Sequence, residues 1–189
     1  MKNLKTIAIA LLVAFGTSTT IAQNKKINVE KSQINWVGKK VTGEHSGTIN
    51  FQDGVLVFQK SKLAGGNFNV NMTSITVTDL DSGKGKEKLE GHLKADDFFG
   101  TDNFATASID FKKIATKPNG LYTVTADLTI KGITNPITFD IIVKGDTASA
   151  KLVIDRTKYG IKYGSKSFFD SIGDKAIYDD FDLAVNLQF

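Results

Sequence analysis

The sequence predicts an all-β protein, an antiparallel barrel of eight strands with one short helix. Apolar and polar residues alternate with a period of two through most of the chain, the pattern of strands buried on one face. Several of these alternating stretches outrun the roughly five or six residues usual for a strand. Short turns join them in succession, and closure removes the exposed edges that long consecutive antiparallel strands leave. A two-sheet sandwich is the alternative arrangement for the same pattern.

Residues 1–22 read as a secretory leader ahead of a single domain over residues 23–189. Lys2 and Lys5 give a basic start, residues 6–16 are apolar, and Thr20 and Ala22 are the small residues of a cleavage site before Gln23. The apolar run falls well short of the ~20 residues needed to span a bilayer. Among the 189 residues there is no cysteine. That excludes a disulfide framework, a thiolate metal site, a cysteine nucleophile and a lipidated N-terminal cysteine. The expectation is a soluble exported protein, periplasmic or secreted, without stable membrane insertion, held together by core burial alone. Losing Lys2 and Lys5 with the leader lowers the formal charge of +4 by two. The remaining lysines are interleaved with acids, so no nucleic-acid partner is expected.

Ile34, Trp36 and Gly38 share a face of the first clear strand. His45, Gly47, Ile49 and Phe51 share a face of the second, and Asp53-Gly54 reads as a turn into the stretch 55–59. Gly65-Gly66 opens a strand with Phe68, Val70 and Met72 on one side. The alternation then breaks. Within residues 84–99, Leu89 and Leu93 stand four apart beside His92, one apolar stripe at helical spacing, with a further turn near residues 96–99. Gly91 weakens this helix by about 1 kcal/mol relative to alanine. The helix should lie over one end of the sheet.

Strands resume with Ile109 and Phe111, then the turn Lys117-Pro118-Asn119-Gly120. Tyr122, Val124, Ala126, Leu128 and Ile130 form one face of a long strand, and residues 131–136 turn the chain into Ile137, Phe139, Ile141 and Val143. Ala148, Ala150, Leu152 and Ile154 follow. After a glycine-rich loop over residues 159–173, Phe181, Leu183, Val185 and Leu187 complete the set.

Catalytic signatures are sparse. No nucleophile elbow, phosphate loop or zinc-binding helix motif is present, and His45 and His92 are the sole histidines. His92 and Asp96 are four apart, but a metal site needs three or four ligands and no third is local. His92 reads as a partly buried helix residue. His45 reads as a satisfied core residue or as a polar group near the barrel mouth. Asp179 and Asp180 are adjacent on a strand and point to opposite faces, which argues against a glycosidase pair. Aromatic and aliphatic surface is abundant instead, with 13 phenylalanines. Gly47, Ala126, Ala148 and Ala150 leave room on apolar faces. An eight-stranded barrel is either filled by its side chains or holds one small ligand, and periodicity does not choose between the two.

Four segments resemble one family, the YceI-like, polyisoprenoid-binding proteins. They are Trp36 with Gly43-Glu44-His45-Ser46-Gly47, His92 through Phe99 (HLKADDFF), Leu128 through Pro136 (LTIKGITNP), and Arg156-Thr157-Lys158-Tyr159-Gly160-Ile161. They occur in the family's order. Residues 100–105 lack the proline often found after the Phe-Phe turn, and the loop over 164–176 carries Phe168 and Phe169. The resemblance implies an extended lipocalin-like barrel, exported to the periplasm, whose interior takes an isoprenoid chain such as that of a quinone. It implies no catalytic residues, and so a carrier rather than an enzyme, with no cofactor beyond a bound isoprenoid lipid or quinone.

On the apolar faces the expected lining is Phe51, Phe68, Ile109, Phe111, Leu128, Phe139, Leu152 and Leu183. His45, His92, Arg156 and Tyr159 are the candidate polar contacts near the entrances. Two other readings stay open: an enzyme on a lipid-like substrate with His45 or His92 as general base, and a ligand-free structural or interaction module. The oligomeric state, a homodimer included, is also open.

Overall fold

A computed structural model describes residues 22–169 and 173–189. The expected leader lies outside the described residues apart from its last position. The elements are β1 (Gln23–Lys26), β2 (Gln33–Lys40), β3 (Gly43–Gln59), β4 (Lys62–Val77), α1 (Lys86–Lys94), β5 (Thr106–Thr116), β6 (Leu121–Ile130), β7 (Ile133–Lys144), β8 (Thr147–Asp155) and β9 (Ile177–Gln188). From β2 onward every strand pairs antiparallel with its sequence neighbour. Strand β9 pairs back on β2, with Ile34 opposite Val185 and Trp36 opposite Leu183, and this closes an eight-stranded barrel. Short β1 continues the line of β2 along β3, with Gln23 opposite Phe58 and Lys26 opposite Val55.

Alternation dictates which side faces in. In β6, Tyr122, Val124, Ala126, Leu128 and Ile130 are buried. On the outer face, Thr125 and Thr129 pair hydroxyl to hydroxyl with Thr138 and Thr134 across β7. Threonine suits such cross-strand pairs, and its branched Cβ favours extended backbone. A membrane-spanning barrel carries its apolar band on this outer face and polar groups within, the reverse of what is seen. Among the described residues no helix is long and apolar enough to cross a membrane.

Two local expectations are corrected. Asp53-Gly54 does not reverse the chain: β3 runs through it for 17 residues and absorbs it as a register shift against β4 between Phe51 and Asp53. The glycine serves packing, since a Cβ on Gly54 would stand 2.3 Å from Phe68 Cδ1. The turn expected over residues 131–136 is confined to Lys131-Gly132, both at positive φ, as a two-residue hairpin of right-handed twist requires. Pro136 therefore lies within β7, opposite Asp127. It is tolerated because β8 pairs with β7 over Ile141 to Lys144 alone, so the missing N–H leaves no ladder bond unmade.

Helix α1 falls inside the expected segment and closes one end of the barrel. The Glu87 carboxylate accepts from the Ser82 hydroxyl and the Gly83 N–H at its start. Leu93 is its buried residue, and the turn that follows places Phe98 and Phe99 against the barrel interior. Lys131 Nζ donates to the Phe98 carbonyl at 3.0 Å, tying this turn to the β6–β7 hairpin. Leu56, Val124 and Ala126, none of them exposed, pack the core.

Candidate functional site

The barrel is filled neither throughout nor evenly. An outer cavity of about 130 Å³ lies beneath α1, walled by Trp36, Ile49, Met72, Ile75, Leu93, Phe98, Phe99, Ile130 and Phe181. An inner cavity of about 90 Å³ lies farther from α1, among Phe51, Phe68, Ile109, Phe111, Phe139, Ile141, Ala150, Leu152, Val185 and Leu187. Ile34, Val70, Leu128 and Leu183 line both. Those four side chains form the waist between the two cavities.

Each wall follows from the alternation. Phe68 and Val70 face in from β4, Ile109 and Phe111 from β5, and Leu183 and Val185 from β9. The rings form a staircase: Phe51 to Phe68 at 6.0 Å, Phe68 to Phe111 at 5.7 Å, Phe111 to Phe139 at 5.8 Å. Such tilted contacts at this spacing are favourable for aromatic quadrupoles. Glycines make room for them, since a Cβ on Gly66 would stand 2.8 Å from the Phe111 ring. The lining of both cavities is almost wholly carbon, and among the described residues the start of β9 forms the outer rim with exposed Tyr178 and Asp180.

All eight apolar side chains selected from the sequence surround the inner cavity. The polar four are distributed differently. Arg156 lines the outer cavity, but its guanidinium is turned to the backbone: Nη1 donates to the Ile161 carbonyl at 2.9 Å, Nε to Tyr178 and Nη2 to Ile177, both at 3.1 Å. Burial pulls its pKa down, and nearby Asp179 and Asp155 act against that. Burial would raise the Asp179 carboxyl, but Ser165, Ser167 and Arg156 together hold it below the ordinary value. Arg156 thus fastens the loop after β8 to the first residues of β9.

Tyr159, His92 and His45 lie outside the lining of both cavities. Tyr159 is buried in the core, and burial, aided by Asp155, raises its phenol pKa. His92 stacks edge-on against Tyr163, with ring centroids 4.4 Å apart, and against Phe98 at 5.5 Å. Its carboxylate neighbour is Asp97 at 3.9 Å. Asp96, four residues on, instead accepts from Asn103 Nδ2 at 3.2 Å. His45 faces the barrel end, where Nδ1 meets Asp79 Oδ2 at 2.8 Å. Burial would raise the Asp79 carboxyl, but the Ser46 N–H and His45 outweigh it and hold its pKa below the ordinary value.

Sequence reasoning missed the outer cavity. Leu93, Phe98 and Phe99 read as cover for a sheet end, yet they form its roof. The available signal was an apolar pair directly after a helix stripe with a single exposed polar side. Of the small residues expected to leave room, Ala150 alone lines a cavity. The space beside Gly47 is taken by the Trp36 ring and the Thr76 carbonyl.

Comparison with known proteins bears on this architecture. The profile of the YceI-like domain matches residues 26–189. A UPF0312 protein of Shewanella denitrificans is 33% identical over 92 residues, which is 49% of this chain and 46% of that protein. One from Vibrio campbellii is 28% identical over 140 residues, 71% of this chain and 68% of that protein. The chain thus spans about half the length of the first relative and about two thirds of the second. Among solved structures, BcnA of Burkholderia cenocepacia superposes with a TM-score of 0.68 at 20% identity, covering 85% of this chain and 98% of that one. A polyisoprenoid binding domain from Saccharophagus degradans implicated in plant cell wall breakdown gives 0.57 at 15% identity, over 89% and 97% of the two chains. At such identities the structural likeness establishes the fold. The profile match, running from β1 to the C-terminal residue, establishes the family: this chain belongs to the YceI-like proteins.

Proposed function

We propose that this protein is exported and that its barrel interior holds a polyisoprenoid or similar long apolar chain, for storage or transport. The observation that carries the reading is the pair of adjacent apolar cavities that share the walls Ile34, Val70, Leu128 and Leu183. Each methylene moved from water into such a wall contributes about 0.8 kcal/mol, so affinity accrues with chain length and needs no polar anchor. Phe51, Phe68, Ile109, Phe111, Leu128, Phe139, Leu152 and Leu183 would contact the inner part of the chain, and Arg156 would hold the outer rim. His45, His92 and Tyr159 would act on the framework rather than the ligand. Family membership and the polyisoprenoid-binding neighbour favour binding over catalysis.

Export is supported by residues 1–22, whose basic, apolar and small-residue blocks fit a leader cleaved before Gln23 to free the domain 23–189. The test is native mass spectrometry of protein recovered from the exported fraction, followed by lipid extraction. The expected species begins at Gln23 and carries a stoichiometric apolar adduct. Repeated recovery of empty protein that takes up no isoprenoid on incubation would overturn the reading.

A further inference from the structure

The segment over residues 156–169 carries Arg156, Lys158, Lys162 and Lys166 and not one acid. Its three lysines are exposed, and among the described residues none has a carboxylate within ion-pair distance. Asp170, next to Phe169, lies outside the described residues, and the flanking acids within them have partners of their own. Asp155 accepts from Thr157, and Asp179 accepts from Ser167 and faces Arg156. Interleaved with the cations are large rings left in water: Tyr163 at 48% exposure, Phe168 at 46% and Phe169 at 51%, joined by Tyr178 at 51%. Lys162 Nζ sits 4.5 Å from the centre of the Phe168 ring.

This patch is fixed to the cavity rim. Ile177 N–H donates to the Gly164 carbonyl at 2.8 Å, Ser165 bridges to Ile177, and Arg156 binds the carbonyls of Ile177 and Tyr178. Ile177, Tyr178 and Arg156 in turn line the outer cavity. Exposed aromatics beside exposed lysines match the headgroup zone of an anionic bilayer, where rings enter the acyl boundary and ammonium groups meet lipid phosphates.

We infer that the face formed by Lys158, Lys162, Tyr163, Lys166, Phe168 and Phe169 docks on anionic membrane surfaces, with the cavity rim turned toward the lipid. Its use as a loading port rests on the lipid-holding reading above. Attachment is peripheral and reversible, since the barrel wall is polar and the patch is confined to one end.

Co-sedimentation of the mature protein with vesicles of phosphatidylcholine, with and without phosphatidylglycerol, tests the inference. Wild type should pellet with the phosphatidylglycerol vesicles and be released by salt. Lys162→Gln with Lys166→Gln should weaken binding about 20-fold, and Phe168→Ser with Phe169→Ser by tenfold or more. These side chains are exposed, so both variants should unfold at the wild-type urea midpoint. Wild type that stays in the supernatant, or variants that pellet as wild type does, would overturn docking. So would a dimer that F168S/F169S converts to monomer, which would assign the face to a second copy. Native mass spectrometry separates the two proposals. Protein that holds lipid but ignores vesicles overturns docking alone, whereas protein that docks but never holds lipid supports docking and overturns the lipid-holding reading.

Discussion

The six-membered edge of Trp36 occupies the place where a side chain on Gly47 would stand. A Cβ there would lie 2.7 Å from Trp36 Cζ2 and 1.8 Å from the Thr76 carbonyl oxygen. Gly47 is opposite Trp36 in the β2–β3 ladder and opposite Val77 in β3–β4, so this is where two ladders converge beneath the outer cavity. Gly47→Ala should therefore destabilise the fold by about 1–3 kcal/mol, toward the upper end because the obstruction includes backbone. The urea midpoint should fall while the slope of the transition is kept. An unchanged midpoint would mean that β4 shifts at little cost and that the outer wall is not fixed by this contact.

Arg156 ties the loop after β8 to the start of β9 through three backbone carbonyls. Removing its guanidinium leaves the carbonyls of Ile161, Ile177 and Tyr178 without their donor in a site 2% exposed. Arg156→Met keeps the aliphatic stem and should cost about 3 kcal/mol or more. Amide hydrogen exchange should quicken first in the loop after β8 and at the start of β9. If thermal stability drops evenly with no local change in exchange, the side chain is part of the general core and not a fastener of the rim.

Asp79 gives the fold a dependence on acid. Its carboxyl lies below the ordinary value of 3.8 because the Ser46 N–H and His45 outweigh the effect of burial. A carboxyl depressed on folding contributes stability that is present above its unfolded value and lost as the pH falls through the folded one. Wild type should thus exceed Asp79→Asn at pH 7 by on the order of 1 kcal/mol. The gap should narrow as the pH drops below about 4. Urea unfolding at a series of pH values reads it out, and a gap that stays constant into strong acid would show that the carboxylate charge is not what stabilises this corner.

The apolar lining was legible in the sequence because the period of a strand fixes which side chains share a face. Once Phe68 and Val70 face in, the register of β4 on β5 carries Ile109 with them, and Phe111 follows two residues on. Turn chemistry was less legible. Asp53-Gly54 has the composition of a hairpin turn, yet the glycine there answers to the Phe68 ring, a neighbour distant in sequence and visible only once β3 and β4 are paired. The polar residues were the hardest to place. Arginine near a mouth suggests a ligand contact, but three backbone carbonyls from loop and strand claim Arg156, and their convergence is a tertiary fact. Whether the barrel was filled also depended on volumes rather than on period: Gly47 is consumed by Trp36, whereas Ala150 leaves space.

Leu183 stands at the waist, lining both cavities from β9 and facing Trp36 across the β2 ladder and Leu152 across the β8 ladder. A larger side chain there should separate the two lobes without emptying the outer one. Leu183→Phe carries an overpacking cost of about 1–3 kcal/mol, moderated by the adjoining free volume. A ligand long enough to span both lobes would lose its inner segment. If about four methylenes are excluded, at about 0.8 kcal/mol each, retention weakens roughly two-hundredfold. A short isoprenoid seated in the outer cavity should bind as in wild type. Competition between short and long isoprenoid alcohols, followed by mass spectrometry of the bound fraction, measures that change in preference. Equal loss for both lengths would place the ligand across the outer cavity alone, and equal retention would show that the chain never passes the waist.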